Sequence, residues 1–179
     1  MKKYHFIALA MAGLLAGCAT SNTPDIVTHY DQFTGFRTDM IPENLLDDPN
    51  NNRDMVWLNA SRIFKDFKNF DYYLEVHYKA RAEAGLLDIT PGPSLVVIAD
   101  GKEMKFRGSG SLNTRKHRGD IISEDALYEV SPNELRAIAN AQAVKVKVTG
   151  RNGIAERDFA PINFQKFKKF VTQYVDAGG

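Results

Sequence analysis

Arg115-Lys116-His117-Arg118 places up to four hydrogen-bond donors in a row. The run lies in Gly108 to Asp120, a long polar stretch, and could meet phosphate or carboxylate groups; the plainer alternative is a solvated loop. Asp48, Asn50 and Asn52 match the opening of a calcium loop, D-x-[DN]-x-[DN]. The match then fails, because Arg53 stands where the tight turn needs glycine and Asn59 where a bidentate glutamate belongs. Glu43 to Asp54 therefore reads as a turn-rich polar loop, and no metal is expected. His29, His77 and His117 are too scattered to read as a ligand cluster. Neither the phosphate-loop pattern G-x-x-x-x-G-K-[ST] nor the nucleophile elbow G-x-S-x-G occurs. No catalytic set and no cofactor is assigned. A hydrolase survives as the alternative in which His77, His117 and acids such as Asp120 or Glu124 converge from separate segments.

Hydropathy patterning predicts the elements that must carry these residues. Tyr72 to Lys79 alternates most cleanly, with Leu74, Val76 and Tyr78 against Tyr73, Glu75, His77 and Lys79, so it is a strand with one wet face. His77 falls on that wet face and reads as solvated. Ser94 to Ala99 is apolar on both faces, as a strand covered on both sides would be. Asp100-Gly101 turns it into Lys102 to Arg107 as a two-residue hairpin. Ile26 to Met40 reads as one or two strands, and Met55 to Phe64, Asp125 to Val130, Val144 to Thr149 and Ile154 to Phe159 as further strands. Ser131-Pro132-Asn133-Glu134 is a capping box opening a short helix, and Pro161 and Asn163 introduce a second, with Phe164, Phe167, Phe170 and Val171 on its core face. Phe64, Phe67 and Phe70 interleave with Lys65 and Lys68, a mixture that suits either a core or a lipid-headgroup surface. The predicted fold class is α+β: an antiparallel sheet of about 7–8 strands with two helices in the C-terminal third.

Residues 1–17 have the order of an export signal: Lys2 and Lys3, an apolar run from Phe6 to Leu15, then small residues. The run is too short and too interrupted by glycine for a transmembrane helix, which needs about 20 apolar residues. Leu15-Ala16-Gly17-Cys18 resembles the lipobox of bacterial lipoprotein precursors. The resemblance implies cleavage between Gly17 and Cys18 and acylation of Cys18, giving a membrane partner through an N-terminal lipid anchor. Ala19, in place of an aspartate, implies the outer membrane, periplasmic face, rather than inner-membrane retention. With Cys18 blocked, the body has no thiol for disulfides, nucleophilic catalysis or metal binding.

The expected organisation is a cleaved signal at 1–17, a lipidated N-terminus and tether at 18–25, and one globular domain at 26–179. With 23 Lys+Arg against 22 Asp+Glu, the chain is nearly neutral, so no nucleic-acid partner is expected. The leading expectation is a non-catalytic binding or scaffold domain of the cell envelope. A protein, lipid or glycan partner stays open, as does the role of accessory subunit in an envelope complex.

Overall fold

Strand alternation builds the body. The computed structural model describes residues 26–50, 52–66 and 69–177, with 65, 66 and 69 described by backbone alone. The expected signal and tether, with Gly17 and Cys18, lie outside the described residues, as do Phe67 and Lys68. In chain order the elements are β1 (Val27–Tyr30), β2 (Arg37–Met40), β3 (Met55–Asp66), β4 (Asn69–Arg81), β5 (Gly92–Ala99), β6 (Lys102–Gly108), β7 (Lys116–Arg118), β8 (Ile121–Glu129), α1 (Pro132–Asn140), β9 (Val144–Gly150), β10 (Gly153–Asp158) and α2 (Pro161–Val171). A π-helical turn, Thr172–Asp176, extends α2.

All ten strands join one antiparallel sheet in the order β1-β2-β3-β4-β8-β6-β5-β9-β10, with β7 paired to β8. The fold is therefore α+β, but with ten strands rather than the expected 7–8. Ile26 to Met40 splits into a two-stranded hairpin. β7 sits inside what reads as a polar loop: all three of its residues are exposed, so it has no apolar alternation to betray it. The sheet also curls. Leu45 bridges Trp57 of β3 while Asp47 bridges Asp158 of β10, which draws distant parts of the strand order to either side of one short segment.

One face of the sheet forms the core. Val56, Leu58 and Ala60 of β3, Leu74, Val76 and Tyr78 of β4, Val144, Val146 and Val148 of β9, and Leu95 and Val97 of β5 are all buried, each large side chain contributing about 1.5–3 kcal/mol. β5 is only half covered, since Val96 and Ile98 keep partial exposure. Its turn follows the expected chemistry, with positive φ at both Asp100 (48°) and Gly101 (82°). The Asp100 carboxylate also accepts from Gln142 N and Ala143 N at 2.9 Å each, fixing the chain after α1.

The two helices cover this core. The Ser131 cap of α1 is reciprocal: Ser131 N donates to Glu134 at 2.8 Å and Glu134 N to the Ser131 hydroxyl at 3.3 Å. In α2, Asn163 Oδ1 accepts from Ala160 N at 2.7 Å, while Phe167, Phe170 and Val171 are buried. Phe159 packs against Phe164 and Phe167 with ring centroids 5.2 and 5.1 Å apart. The end of the helical segment is clamped by Arg62, whose guanidinium lies between the Phe70 and Tyr174 rings, 4.4 and 4.2 Å from their centroids. Asp39 accepts from Arg62 at 2.9 Å. Burial works to raise the Asp39 carboxyl, but hydrogen bonds from Thr28, Arg62 and Arg37 outweigh it and hold the group below the usual aspartate range.

Candidate functional site

Among the described residues, the wet face of β3, β4 and β8 carries a row of chemically capable side chains. Register places Trp57 opposite His77 and His77 opposite Asp125, so three strands bring an indole, an imidazole and a carboxylate into one row. The His77 Nδ1 is hydrogen-bonded to Asp125 Oδ1. The Trp57 and His77 rings lie 4.9 Å apart, tilted by 54°. Glu43, Leu45, Trp57, Asn59, His77 and Lys79 line a groove of about 530 Å³. The Asn59 amide is held by its neighbours: Oδ1 accepts from Asn44 N at 3.1 Å and Nδ2 donates to Glu75 at 3.4 Å.

Asp125 is itself positioned. Thr114 Oγ1 accepts from Asp125 N at 3.1 Å and donates to Asp125 O, and Lys116 Nζ lies 3.8 Å from the second carboxylate oxygen. A carboxylate on Nδ1 favours the tautomer with its proton on that nitrogen, leaving the Nε2 lone pair as acceptor or base. Among the described residues no hydroxyl is hydrogen-bonded to His77, so the pair has no nucleophile in contact. What the row offers is a half-buried aromatic face beside donors and acceptors of both charge signs.

The basic run divides. Arg115 is part-buried and pairs with Asp88, whose other oxygen lies 3.9 Å from Arg151 Nε. Lys116 turns toward Asp125, while His117 and Arg118 are exposed on β7. These four groups do not converge on one ligand position. Nor do the residues imagined for a hydrolase: His117 and Asp120 are exposed, and Glu124 is fully buried on the opposite face of β8 from Asp125. Glu124 accepts from Asp88 N at 2.9 Å, from Ile89 N at 3.1 Å and from the Ser111 hydroxyl, tying two loops to the sheet. Asp48 accepts from Asn50 N at 3.0 Å, closing a turn on itself, and lies 3.7 Å from the buried guanidinium of Arg157. Arg157 donates to Asp54 at 2.6 Å. Burial, reinforced by Asp54, pushes the Tyr78 phenol up to about 12. Burial likewise pushes Tyr128 up to about 12; the Ser94 hydrogen bond opposes the shift and the Glu124 charge adds to it.

The sequence reads His77 as solvated, whereas the structure half-buries it against Trp57 and Asp125, neither of which the sequence reading marks as its partner. Alternation of Val56, Leu58 and Ala60 does place Trp57 on the outer face of β3. Pairing it with His77 requires the strand register.

Comparison of the chain with protein-family models, with curated proteins and with solved structures finds no match in any of the three. The site itself must therefore carry the functional reading.

Proposed function

We propose that this protein is a lipid-anchored envelope lipoprotein whose domain binds a glycan in the Trp57–His77 groove. The anchor reading rests on the lipobox Leu15-Ala16-Gly17-Cys18. Acylated Cys18 holds the chain at the outer membrane, facing the periplasm. Two or three acyl chains make that attachment stable, at about 0.8 kcal/mol per buried CH₂. The binding reading is carried by one observation, the row Trp57-His77-Asp125 flanked by Asn59 and Lys79. An indole face packs against the C–H face of a sugar ring, while imidazole and ammonium groups meet hydroxyls. Charges of both signs around the groove disfavour a purely anionic ligand.

Trp57 is the only tryptophan, so its emission reports on the groove directly. Titration of the purified full chain with soluble cell-wall glycan fragments should give a saturable emission change that is lost in His77→Ala. Emission that stays constant throughout the titration would sink the glycan reading. For the anchor, Cys18→Ser should abolish incorporation of labelled fatty acid; persistent labelling would refute it.

The His77–Asp125 hydrogen bond favours a second reading, hydrolysis of an ester substituent on such a glycan: His77 Nε2 takes a proton from the attacking water, the acyl C–O bond breaks, and the proton is returned to the leaving alkoxide. Slow turnover of the same glycans, abolished in His77→Gln while binding persists, would select it over simple binding.

A further inference from the structure

The end of the sheet where β1 turns into β2 shows aromatic side chains to solvent. Tyr30 is 60% exposed, Phe33 102% and Phe36 38%, all within one hairpin tip. Folded chains ordinarily turn such rings inward, and here the backbone prevents it. Asp31 Oδ1 accepts from Phe33 N at 2.8 Å and from Thr34 N at 3.3 Å. Asp31 N donates to Phe36 O at 2.9 Å, and Gly35 N donates to Asp31 O at 2.8 Å with Gly35 in the left-handed region at φ 72°. The tip is thus a built turn that presents Phe33 outward.

A second hairpin ends at the same place. Arg37 pairs with Phe64 and Phe64 with Phe70, so these two rings lie at the end of the sheet where β1 turns into β2. The Phe64 and Phe70 rings are 5.1 Å apart, both partly exposed. In sequence, Lys65 and Lys68 fall between those two rings. Exposed aromatic rings suit a lipid–water interface, where they enter the headgroup region.

Chain length favours a bilayer as the occupant. Residues 18–25 reach at most about 28 Å when extended, and the four residues of β1 span about 13 Å. An anchor at Cys18 therefore keeps the tip within reach of the same membrane. We propose that the Tyr30–Phe36 hairpin tip is a second membrane contact, seating Phe33 in the lipid interface and so fixing the domain's orientation. The reach argument rests on the lipid-anchor reading; the ring exposure and the pinned turn do not.

The test uses the full chain purified from membranes and placed in vesicles of phosphatidylethanolamine and phosphatidylglycerol. Phe33→Trp is introduced on a Trp57→Phe background, with Ile154→Trp on the same background as control, since Ile154 is exposed on the far edge strand β10. Emission of the Phe33→Trp chain should shift to shorter wavelength and be quenched by lipids brominated in their acyl chains, whereas emission of the Ile154→Trp control should not. A Phe33→Trp chain that floats with the vesicles yet stays unquenched overturns the tip contact and leaves the anchor standing. A Phe33→Trp chain that carries no lipid and is still quenched by added vesicles overturns the anchor and leaves the tip contact. Loss of both effects overturns both. Shielding of the tip indole from aqueous acrylamide without bromolipid quenching assigns the tip to a protein surface, which also overturns the proposal.

Discussion

Glu124 and Asp125 are consecutive carboxylates on one strand, and β alternation sends them to opposite worlds. Glu124 faces inward, fully buried, and is consumed by the donors of Asp88, Ile89 and Ser111. Asp125 faces outward, half-buried, and orients the imidazole of His77 at the edge of an open groove. The same chemical group is structural on one side of the sheet and a candidate binding group on the other. What separates them is whether the surrounding fold uses up the oxygens' hydrogen-bonding capacity or leaves a neighbouring group free to act.

The largest expected effect breaks the inner carboxylate. Glu124→Ala leaves buried backbone donors without an acceptor and should cost about 3–5 kcal/mol in urea unfolding. Asp125→Ala removes a half-buried partner of His77 but strands no buried backbone donor, so it should cost less, about 1–2 kcal/mol, yet remove the glycan response of Trp57. Equal destabilisation by the two substitutions would erase the distinction.

A smaller effect sharpens the same contrast within the basic run. Arg115→Ser removes the part-buried partner of Asp88 and should cost about 1–2 kcal/mol, whereas Lys116→Ser and Arg118→Ser should each stay within about 0.5 kcal/mol. Thermal melts of the three single variants measure this directly. A neutral Arg115→Ser would make the Asp88 pair as dispensable as the exposed side chains of β7.

The pH limbs are the hardest to isolate, because other groups titrate alongside. Asp39 has a folded-state pKa below its unfolded value, so its contribution is complete above the ordinary aspartate range and is lost as pH falls through the folded value. Asp39→Asn should flatten the acid limb of a stability profile. Tyr78 and Tyr128 act in the opposite direction, with folded values of about 12 against an ordinary 10.0. The unfolded chain releases those protons first, so their contribution is complete below about pH 10 and declines toward about 12. Tyr128→Phe should make the alkaline limb shallower. An unchanged limb would remove the phenol from the explanation.

Much of the sheet is legible in the sequence because local physics agrees with the fold. Tyr72–Lys79 alternates cleanly, Asp100-Gly101 favours a tight turn, and Ser131 with Glu134 announces α1. Patterning starts β8 only at Asp125, because Glu124 occupies an inward position where the alternation calls for an apolar residue. β10 is expected at Ile154 to Phe159 and observed at Gly153–Asp158, although the buried Arg157 interrupts the alternation of its inner face. The groove is illegible for a different reason: Asp125 lies 48 residues from His77, and only antiparallel register makes them neighbours. Local periodicity tells which face a residue takes, whereas partners across a sheet depend on loops that the pattern does not constrain.

The most direct test of the division between the two carboxylates is an amide chemical-shift map of the full chain titrated with soluble cell-wall glycan. Shifts should concentrate at Trp57, Asn59, His77 and Asp125, leaving Asp88, Ile89 and Glu124 unmoved. Shifts centred on the inner set, or on β7 without His77, would contradict the assignment of the outer row as the binding site.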